Sequence, residues 1–210
     1  ISYFINECGT TYEKASLALE AARALRPIRD DMYQDGVSIY IGIPFCPSRC
    51  LYCSFVTNGT KQAAALMPEY IEALKKEIKY TADIISHNGT PVETVYIGGG
   101  TPTTLTPRLR EEMIDCLYDN CDLSKMKEFT VEAGRPDTIT EEKLKVLKKY
   151  NVDRISINPQ SMNDSTLKII GRAHSADDIR EAMKMARHCG FDKINMDVIA
   201  GLPGEDMEMF

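Results

Sequence analysis

The sequence lacks several features that would each place the chain in a particular class of protein. No apolar stretch reaches the length of a membrane-spanning helix, and no secretory signal is recognised. There is no run of Lys and Arg, and a net charge of −6 offers no broad attraction for nucleic acid. Repeats and low-complexity segments are also missing. We therefore expect a cytoplasmic protein with no membrane span and no nucleic-acid partner.

The size of the chain is sufficient for a well-packed domain. With 210 residues, of which 43% are hydrophobic, it can bury a substantial core. Residues 1–36 are expected to form a lead-in with an amphipathic helix over Thr11–Leu25, and residues 37–210 the main domain. The chain begins without Met and stops just inside a new helical pattern, so we expect a segment of a longer protein, truncated at its C-terminus.

Five short apolar runs alternate with helical patterns along the main domain. The runs are Ser38–Ile43, Thr94–Ile97, Glu128–Glu132, Arg154–Asn158 and Lys193–Ile199. The helical patterns between them are Pro68–Ile85, Pro107–Tyr118, Glu141–Tyr150 and Ala176–Cys189. Helix starts are predicted at the N-caps Thr106 and Ser175, and a helix end before Gly190. This alternation predicts an α/β fold with a parallel sheet, either open and doubly wound or curled into a barrel.

Cysteine is distributed unevenly in this sequence. Cys46, Cys50 and Cys53 fall within eight residues, directly after the first apolar run. Three thiolates this close can hold three irons of a [4Fe–4S] cluster and leave the fourth iron open to a small molecule. A structural zinc site needs a fourth ligand, and the nearest histidine, His87, is remote. Zinc and unrelated buried cysteines remain alternatives, whereas an odd total of seven cysteines argues against disulfides. The other cysteines are expected to be packing residues: Cys8, Cys116, Cys121 and Cys189.

Polar or glycine-rich groups follow each of the other strands. Ligands of parallel α/β folds gather at the carboxyl ends of strands, where these groups would meet the cysteines. They are Gly98–Gly100 with Thr101, Glu132, Gln160, and Asp197 with the turn Gly201–Gly204. The glycines would let backbone approach a ligand closely, although a plain tight turn would look the same. The two carboxylates could bind a cation or ribose hydroxyls, or only a neighbouring Arg or backbone N–H. Arg172 is more usually solvated and His174 more usually a cap or a surface residue.

Six segments together resemble a known family. They are Tyr40–Cys46, Tyr96–Pro102, Val131–Ala133, Pro159–Ser161, Ile170–His174 and Asn195–Gly204. With the cysteine spacing, they resemble the radical S-adenosylmethionine (SAM) superfamily, and more narrowly the oxygen-independent coproporphyrinogen III oxidases and their close relatives. The segment Glu132-Ala-Gly-Arg-Pro136 is most similar to the branch of this family named HemZ.

The resemblance implies a fold, two cofactors and the residues that bind them. The fold would be a partial, TIM-like (βα)6 barrel with five of its six strands in this segment. The cofactors would be a [4Fe–4S] cluster on Cys46, Cys50 and Cys53, and SAM. By motif position the SAM contacts would be Tyr40, Tyr52, Gly99, Gly100, Thr101, Glu132, Gln160, Arg172 and Asp197. No catalytic side chain is implied, because the cofactors carry the chemistry.

The implied activity is a radical SAM oxidoreductase. It would decarboxylate coproporphyrinogen III to protoporphyrinogen IX without oxygen, through a 5′-deoxyadenosyl radical, with an electron donor such as flavodoxin or ferredoxin. Three departures leave the tetrapyrrole substrate open between coproporphyrinogen III and heme. Phe55 stands where the oxidases carry a further cysteine, Gly134-Arg135 replaces the usual Asn of Glu-Ala-Asn-Pro, and Asn158-Pro159 precedes Gln160 in place of a more common Gly-Val. The alternatives are a heme-delivery protein of the same family and another radical SAM reaction on a tetrapyrrole.

Overall fold

The computed structural model describes residues 1–33, 35–55, 58–59 and 64–209. The chain divides into two compact units, Ile1–Gly36 and Val37–Phe210. The first unit contains the short helix α1 (Ser2–Asn6) and the longer helix α2 (Tyr12–Asp31). Helix α2 begins where predicted, because the Thr11 hydroxyl accepts a hydrogen bond from the Lys14 N–H at 3.4 Å, but it continues six residues beyond Leu25.

The second unit is built on a five-stranded parallel sheet. Strands that follow one another along the chain are neighbours in this sheet, apart from a separate short pair. The strands are β1 (Val37–Ile43), β4 (Val92–Gly99), β5 (Glu128–Gly134), β6 (Arg154–Ile157) and β7 (Lys193–Asn195). The separate pair is β2 (Phe45–Cys46) with β3 (Asn58–Gly59). The parallel sheet predicted from the five apolar runs is therefore confirmed.

Helices connect the strands of this sheet. They are α3 (Met67–His87), α4 (Pro107–Asn120), α5 (Glu141–Lys149), α6 (Asp164–Ile169) and α7 (Ala176–His188). The predicted caps are confirmed: the Thr106 hydroxyl accepts from the Leu109 N–H, and Ser175 forms a reciprocal capping box with Asp178. Gly190 follows α7 with a φ of 85°, a conformation that glycine adopts without steric cost.

Three features differ from the predicted pattern. The short helices α1 and α6 and the β2–β3 pair were not predicted, because each is too short to show a period in the sequence. The fifth strand ends at Asn195 and not at Ile199, so Asp197 lies beyond it. Within the described part of the chain, the pairing continues there only as an isolated bridge between Gln160 and Val198.

The sheet and its helices enclose one large apolar core. Strand residues such as Ile43, Ile97, Phe129 and Ile155 are almost completely buried, which explains why their runs are nearly continuous in apolar residues. Cys116 and Cys121 belong to this core, as expected of packing residues. In the part of the chain that the structure describes, no helix is long and apolar enough to cross a membrane.

Candidate cofactor site

The segment Cys46–Cys53, here called the cysteine loop, starts at β2 and is attached to the rest of the fold through backbone hydrogen bonds. All three cysteines are free thiols; Cys50 is buried, and Cys46 and Cys53 are partly exposed. The Thr101 N–H donates to the Phe45 carbonyl at 2.8 Å, so the end of β4 directly supports the start of the loop. Farther along, the Leu51 N–H donates to the Ile170 carbonyl at 3.0 Å. The loop is thus fixed from two sides of the fold.

A cavity of about 250 Å³ lies beside this loop, at the carboxyl ends of the strands. Every predicted site residue except Tyr40 lines it: Cys46, Cys50, Tyr52, Cys53, Gly99, Gly100, Thr101, Glu132, Gln160, Arg172 and Asp197. Residues separated by up to about 150 positions in the sequence therefore meet in one place, as the strand-end argument predicted. A larger cavity of about 440 Å³ lies along β1 and α3, and none of Cys46, Cys50 and Cys53 lines it.

Glycine at the end of β4 allows two backbone segments to touch. A Cβ on Gly100 would lie 2.6 Å from the Phe45 carbonyl oxygen and 2.9 Å from that of Ile43. The Gly100 N–H donates to the same Ile43 carbonyl at 2.8 Å. Gly99 has a φ of 106°, a backbone conformation that residues with a side chain rarely adopt. These glycines therefore do more than complete a turn, since they bring β4 against the cysteine loop.

Glu132 is held by an aromatic pair. The Tyr96 hydroxyl donates to Glu132 Oε1 at 2.5 Å, and the Tyr96 ring stacks on that of Tyr40 with centroids 5.7 Å apart. Burial raises the pKa of Glu132, although hydrogen bonds from Tyr96 and the Gly99 backbone act in the opposite direction. Tyr40 itself is largely exposed and lines a neighbouring cavity together with Gly99 and Gly100. The structure thus connects Tyr40 to the cysteine cavity through Tyr96 and Glu132.

Tyr52 and Arg172 form a second pair that lines the same cavity. The Arg172 guanidinium donates to the Tyr52 hydroxyl at 2.7 Å from Nη2 and at 3.2 Å from Nε. Burial raises the pKa of Tyr52 to about 12, although the charge of Arg172 opposes this. Arg172 is therefore not the freely solvated arginine that the sequence context favoured.

Gln160 and Asp197 are joined by their backbones. The Gln160 N–H donates to the Asp197 carbonyl at 2.9 Å, and the Ile199 N–H donates back to the Gln160 carbonyl. Gln160 has a φ of 69°, an unusual conformation for a side-chain-bearing residue. The backbone hydrogen bonds to Asp197 and Ile199 hold that conformation, and Gln160 lines the cavity. Asp197 is exposed, and its carboxylate accepts a hydrogen bond from Asn195 at 2.8 Å.

Six residues that line the cavity were not predicted to contact either cofactor: Ser48, Arg49, Phe55, Gly134, Arg135 and Asn158. Arg135 is the most informative, because its guanidinium donates to the Ser48 hydroxyl at 2.8 Å and lies 3.9 Å from Cys50 Sγ. His174, expected at the surface or as a cap, is instead buried, 3.8 Å from Asp137. The sequence signal for Arg135 was its departure from the usual Glu-Ala-Asn-Pro pattern.

The side chains at the cavity do not form a site for a single metal ion. Among the described residues, no three His, Cys, Asp or Glu side chains are placed to hold a single metal ion. A [4Fe–4S] cluster does not require this, since each iron takes one thiolate and the bridging sulfides complete its coordination. The three cysteines can therefore act as ligands of separate irons.

The chain is similar to known proteins over most of its length. Residues 40–210 match the model of the radical SAM superfamily. The chain is 47% identical, over 86% of its length, to the oxygen-independent coproporphyrinogen-III oxidase-like protein HemZ of Bacillus subtilis, and spans 36% of that protein. It is 39% identical to the heme chaperone HemW of the same organism, over 81% of its length and 44% of that protein.

A solved structure agrees with these sequence relatives. Coproporphyrinogen III oxidase (HemN) from Escherichia coli, described as a radical SAM enzyme, superposes with a TM-score of 0.75 at 28% identity. The superposition covers 84% of this chain and 40% of that protein. The predicted α/β fold with five strands of a partial barrel is therefore confirmed.

Proposed function

This chain belongs to the radical SAM superfamily, whose cofactors are a [4Fe–4S] cluster and SAM, and we propose that it is part of a coproporphyrinogen III decarboxylase. The proposed reaction converts coproporphyrinogen III to protoporphyrinogen IX without oxygen. One observation carries the proposal: the cysteine loop shares a single cavity with the strand-end residues expected to contact SAM. The chain spans less than half the length of HemZ and HemN, so the activity is proposed for the full-length protein.

The residues at the cavity fit the two cofactors. Cys46, Cys50 and Cys53 would each ligate one iron, and thiolates are the ligands that such clusters prefer. Two buried polar atoms of cavity-lining residues, Arg172 Nη1 and Asn158 Oδ1, have no hydrogen-bond partner within the described chain. Buried polar groups normally have partners, so an unpaired donor and acceptor suit a polar ligand.

The remaining cavity residues would hold SAM. We assign close backbone contact to Gly99, Gly100 and Thr101, because no side chain intervenes at the two glycines. Glu132 and Asp197 would accept hydrogen bonds from polar groups of SAM, and the Tyr40–Tyr96 pair would orient Glu132. Tyr52 presents an aromatic face beside the cysteines, and its hydroxyl is fixed by Arg172. Gln160 would contact SAM from the end of β6.

When bound, the cluster and SAM supply the one-electron chemistry that removes a hydrogen atom from the substrate. That hydrogen atom is a β-hydrogen of a propionate side chain. The resulting substrate radical would lose CO₂ and pass one electron to a one-electron acceptor, which leaves a vinyl group, and the same change would occur at a second propionate. The protein's residues position the reactants, provide fixed charges and exclude water, and no general base is needed for hydrogen-atom transfer. We further propose that the protein is cytoplasmic and receives electrons from flavodoxin or ferredoxin.

A second candidate function is heme delivery without decarboxylation. Phe55 favours it, because this side chain lines the cysteine cavity at the position where the oxidases resembled here carry another cysteine. The similarity to a heme chaperone agrees with this candidate. The higher identity to the oxidase-like HemZ, and the segment Glu132–Pro136, favour the decarboxylase.

We expect the full-length protein, reconstituted with iron and sulfide without oxygen, to consume SAM and release protoporphyrinogen IX from coproporphyrinogen III. The measurement is chromatography of the oxidised porphyrins, with SAM consumption followed in the same samples. A Cys50→Ala variant should lose both activities because it cannot complete the cluster. A Cys116→Ala variant is the matched control, since this thiol is buried in the core away from the cavity.

Three outcomes separate the candidates. SAM consumption without porphyrin product would reject the decarboxylase and retain radical chemistry on another substrate. Stoichiometric heme binding without turnover of coproporphyrinogen III would support heme delivery. Failure to incorporate iron and sulfide would reject both.

A further inference from the structure

We propose that Arg135 is a positioning residue that fixes the cysteine loop and raises the reduction potential of the cluster through Cys50. Arg135 follows β5 and is only 3% exposed, so its guanidinium is an unusual buried group. The inference rests on the proposed binding of the cluster by Cys46, Cys50 and Cys53. It assigns a role to a residue that belongs to neither the predicted ligands nor the predicted SAM contacts.

One edge of the guanidinium contacts the cysteine loop. Arg135 Nη1 donates to the Ser48 hydroxyl at 2.8 Å and to the Ser48 carbonyl at 3.2 Å. The same nitrogen lies 3.9 Å from Cys50 Sγ, within hydrogen-bonding distance for sulfur. Cys50 is the buried cysteine of the three, so this contact is shielded from water. Arg135, directly after β5, thus links this strand to Ser48 of the cysteine loop, which lies 87 positions earlier in the sequence.

The other edge of the guanidinium is held by Asp137. Arg135 Nε donates to Asp137 Oδ1 at 3.0 Å and Nη2 donates to Oδ2 at 3.2 Å, a bidentate arrangement. Burial raises the pKa of Asp137, but His174 and Arg135 outweigh it and lower the pKa to about 2. Asp137 therefore stays ionised and keeps the guanidinium plane fixed at neutral pH. A lysine cannot reproduce this set of contacts, because its three N–H donors lie on one nitrogen and lack the planar fork that binds Asp137 at one edge and Ser48 at the other.

The contacts of Arg135 should raise the reduction potential of the cluster. Reduction adds negative charge to a cluster and its thiolates, and hydrogen bonds to the sulfurs stabilise the reduced state. An Arg135 N–H group shared between Ser48 and Cys50 Sγ therefore favours reduction, and its loss should make the midpoint potential more negative. The Asp137 carboxylate offsets part of the Arg135 charge, so the directed N–H group is the main contribution.

The test uses the full-length protein and the variants Arg135→Gln and Arg135→Lys. We expect Arg135→Gln to shift the one-electron reduction equilibrium about tenfold toward the oxidised cluster, or about 59 mV in midpoint potential. Arg135→Lys keeps the charge and should give a smaller shift. The potential is read from a redox titration followed by electron paramagnetic resonance, with iron and sulfide measured in every sample.

Arg110→Gln is the matched control. Arg110 is equally buried and donates to backbone carbonyls of Leu105 and Lys143, away from the cysteine loop. Its replacement removes a buried guanidinium and should lower stability while leaving the potential of the cluster unchanged. An equal shift in Arg110→Gln and Arg135→Gln would overturn the specific role of Arg135.

A second measurement needs no cluster. In the iron-free full-length protein, alkylation of Cys50 should be about tenfold faster in Arg135→Lys than in the wild type. Mass spectrometry of the labelled peptide gives Cys46 and Cys53 as internal references. If Arg135→Gln does not fold, Arg135→Lys decides: wild-type potential and wild-type alkylation of Cys50 would overturn the proposal. Wild-type protein that takes up no iron or sulfide would instead reject the proposed function, a separate failure.

Discussion

Replacing any one of Cys46, Cys50 and Cys53 by alanine should abolish the cluster of the full-length protein. Each thiolate would hold a separate iron, so no neighbouring cysteine can replace a lost ligand. Of the other four cysteines, Cys116 and Cys121 are packed in the core, Cys8 is exposed and Cys189 is partly exposed. The expected result is the loss of the visible absorbance and of bound iron and sulfide after anaerobic reconstitution.

Cys116→Ala is the control for the loss of a thiol as such. Its sulfur lies 3.6 Å from the Lys75 carbonyl of α3 and 3.8 Å from the Asn120 amide nitrogen of α4, so its removal should cost stability and leave the iron content unchanged. Loss of the cluster in Cys116→Ala or Cys189→Ala, with retention in Cys50→Ala, would contradict the ligand assignment. Recovery of one zinc ion per chain in place of iron and sulfide would contradict the cluster itself.

The strands of the sheet could be predicted because each signal is local. Parallel strands covered on both faces need apolar residues at almost every position, and Val95, Ile97, Val131 and Ile155 are buried as this requires. The caps Thr106 and Ser175 were predictable for the same reason, since their partners lie three residues away. The meeting of the strand-end residues at one cavity could be predicted because the carboxyl ends of parallel strands lie at the same edge of the sheet.

What the sequence could not predict depends on contacts between distant residues. Arg135 reaches Ser48 and Cys50 across more than 80 positions, and no local pattern encodes such a contact. His174 is buried because Asp137 and the segment after β5 lie against it, although its sequence surroundings are those of a cap. The sequence predicted that β7 ends at Ile199, whereas it ends at Asn195. The apolar run continues to Ile199 and gives no sign of the change from strand pairing to the isolated bridge between Gln160 and Val198.

Gly100→Ala should disrupt the site more than any other small substitution at the cavity. The added methyl would meet the carbonyl oxygens of Phe45 and Ile43 at 2.6 and 2.9 Å and Cys46 Sγ at 3.1 Å. Two of these neighbours are backbone atoms that accept hydrogen bonds from the end of β4, so they cannot move without breaking the attachment of the cysteine loop. We expect a loss of about 1–3 kcal/mol or more in the free energy of unfolding, with failure to retain the cluster.

Gly42→Ala provides a matched control in the adjacent strand β1. A Cβ there would lie 3.6 Å from the Tyr40 ring, an ordinary contact, and Gly42 does not have a positive φ. Alanine is favoured over glycine within a strand by about 0.5–1 kcal/mol, so this variant should be neutral or slightly more stable. Urea unfolding of the iron-free protein and iron content after reconstitution are measured for both variants. Equal behaviour of the two would show that the close approach of β4 to the cysteine loop does not support the cluster.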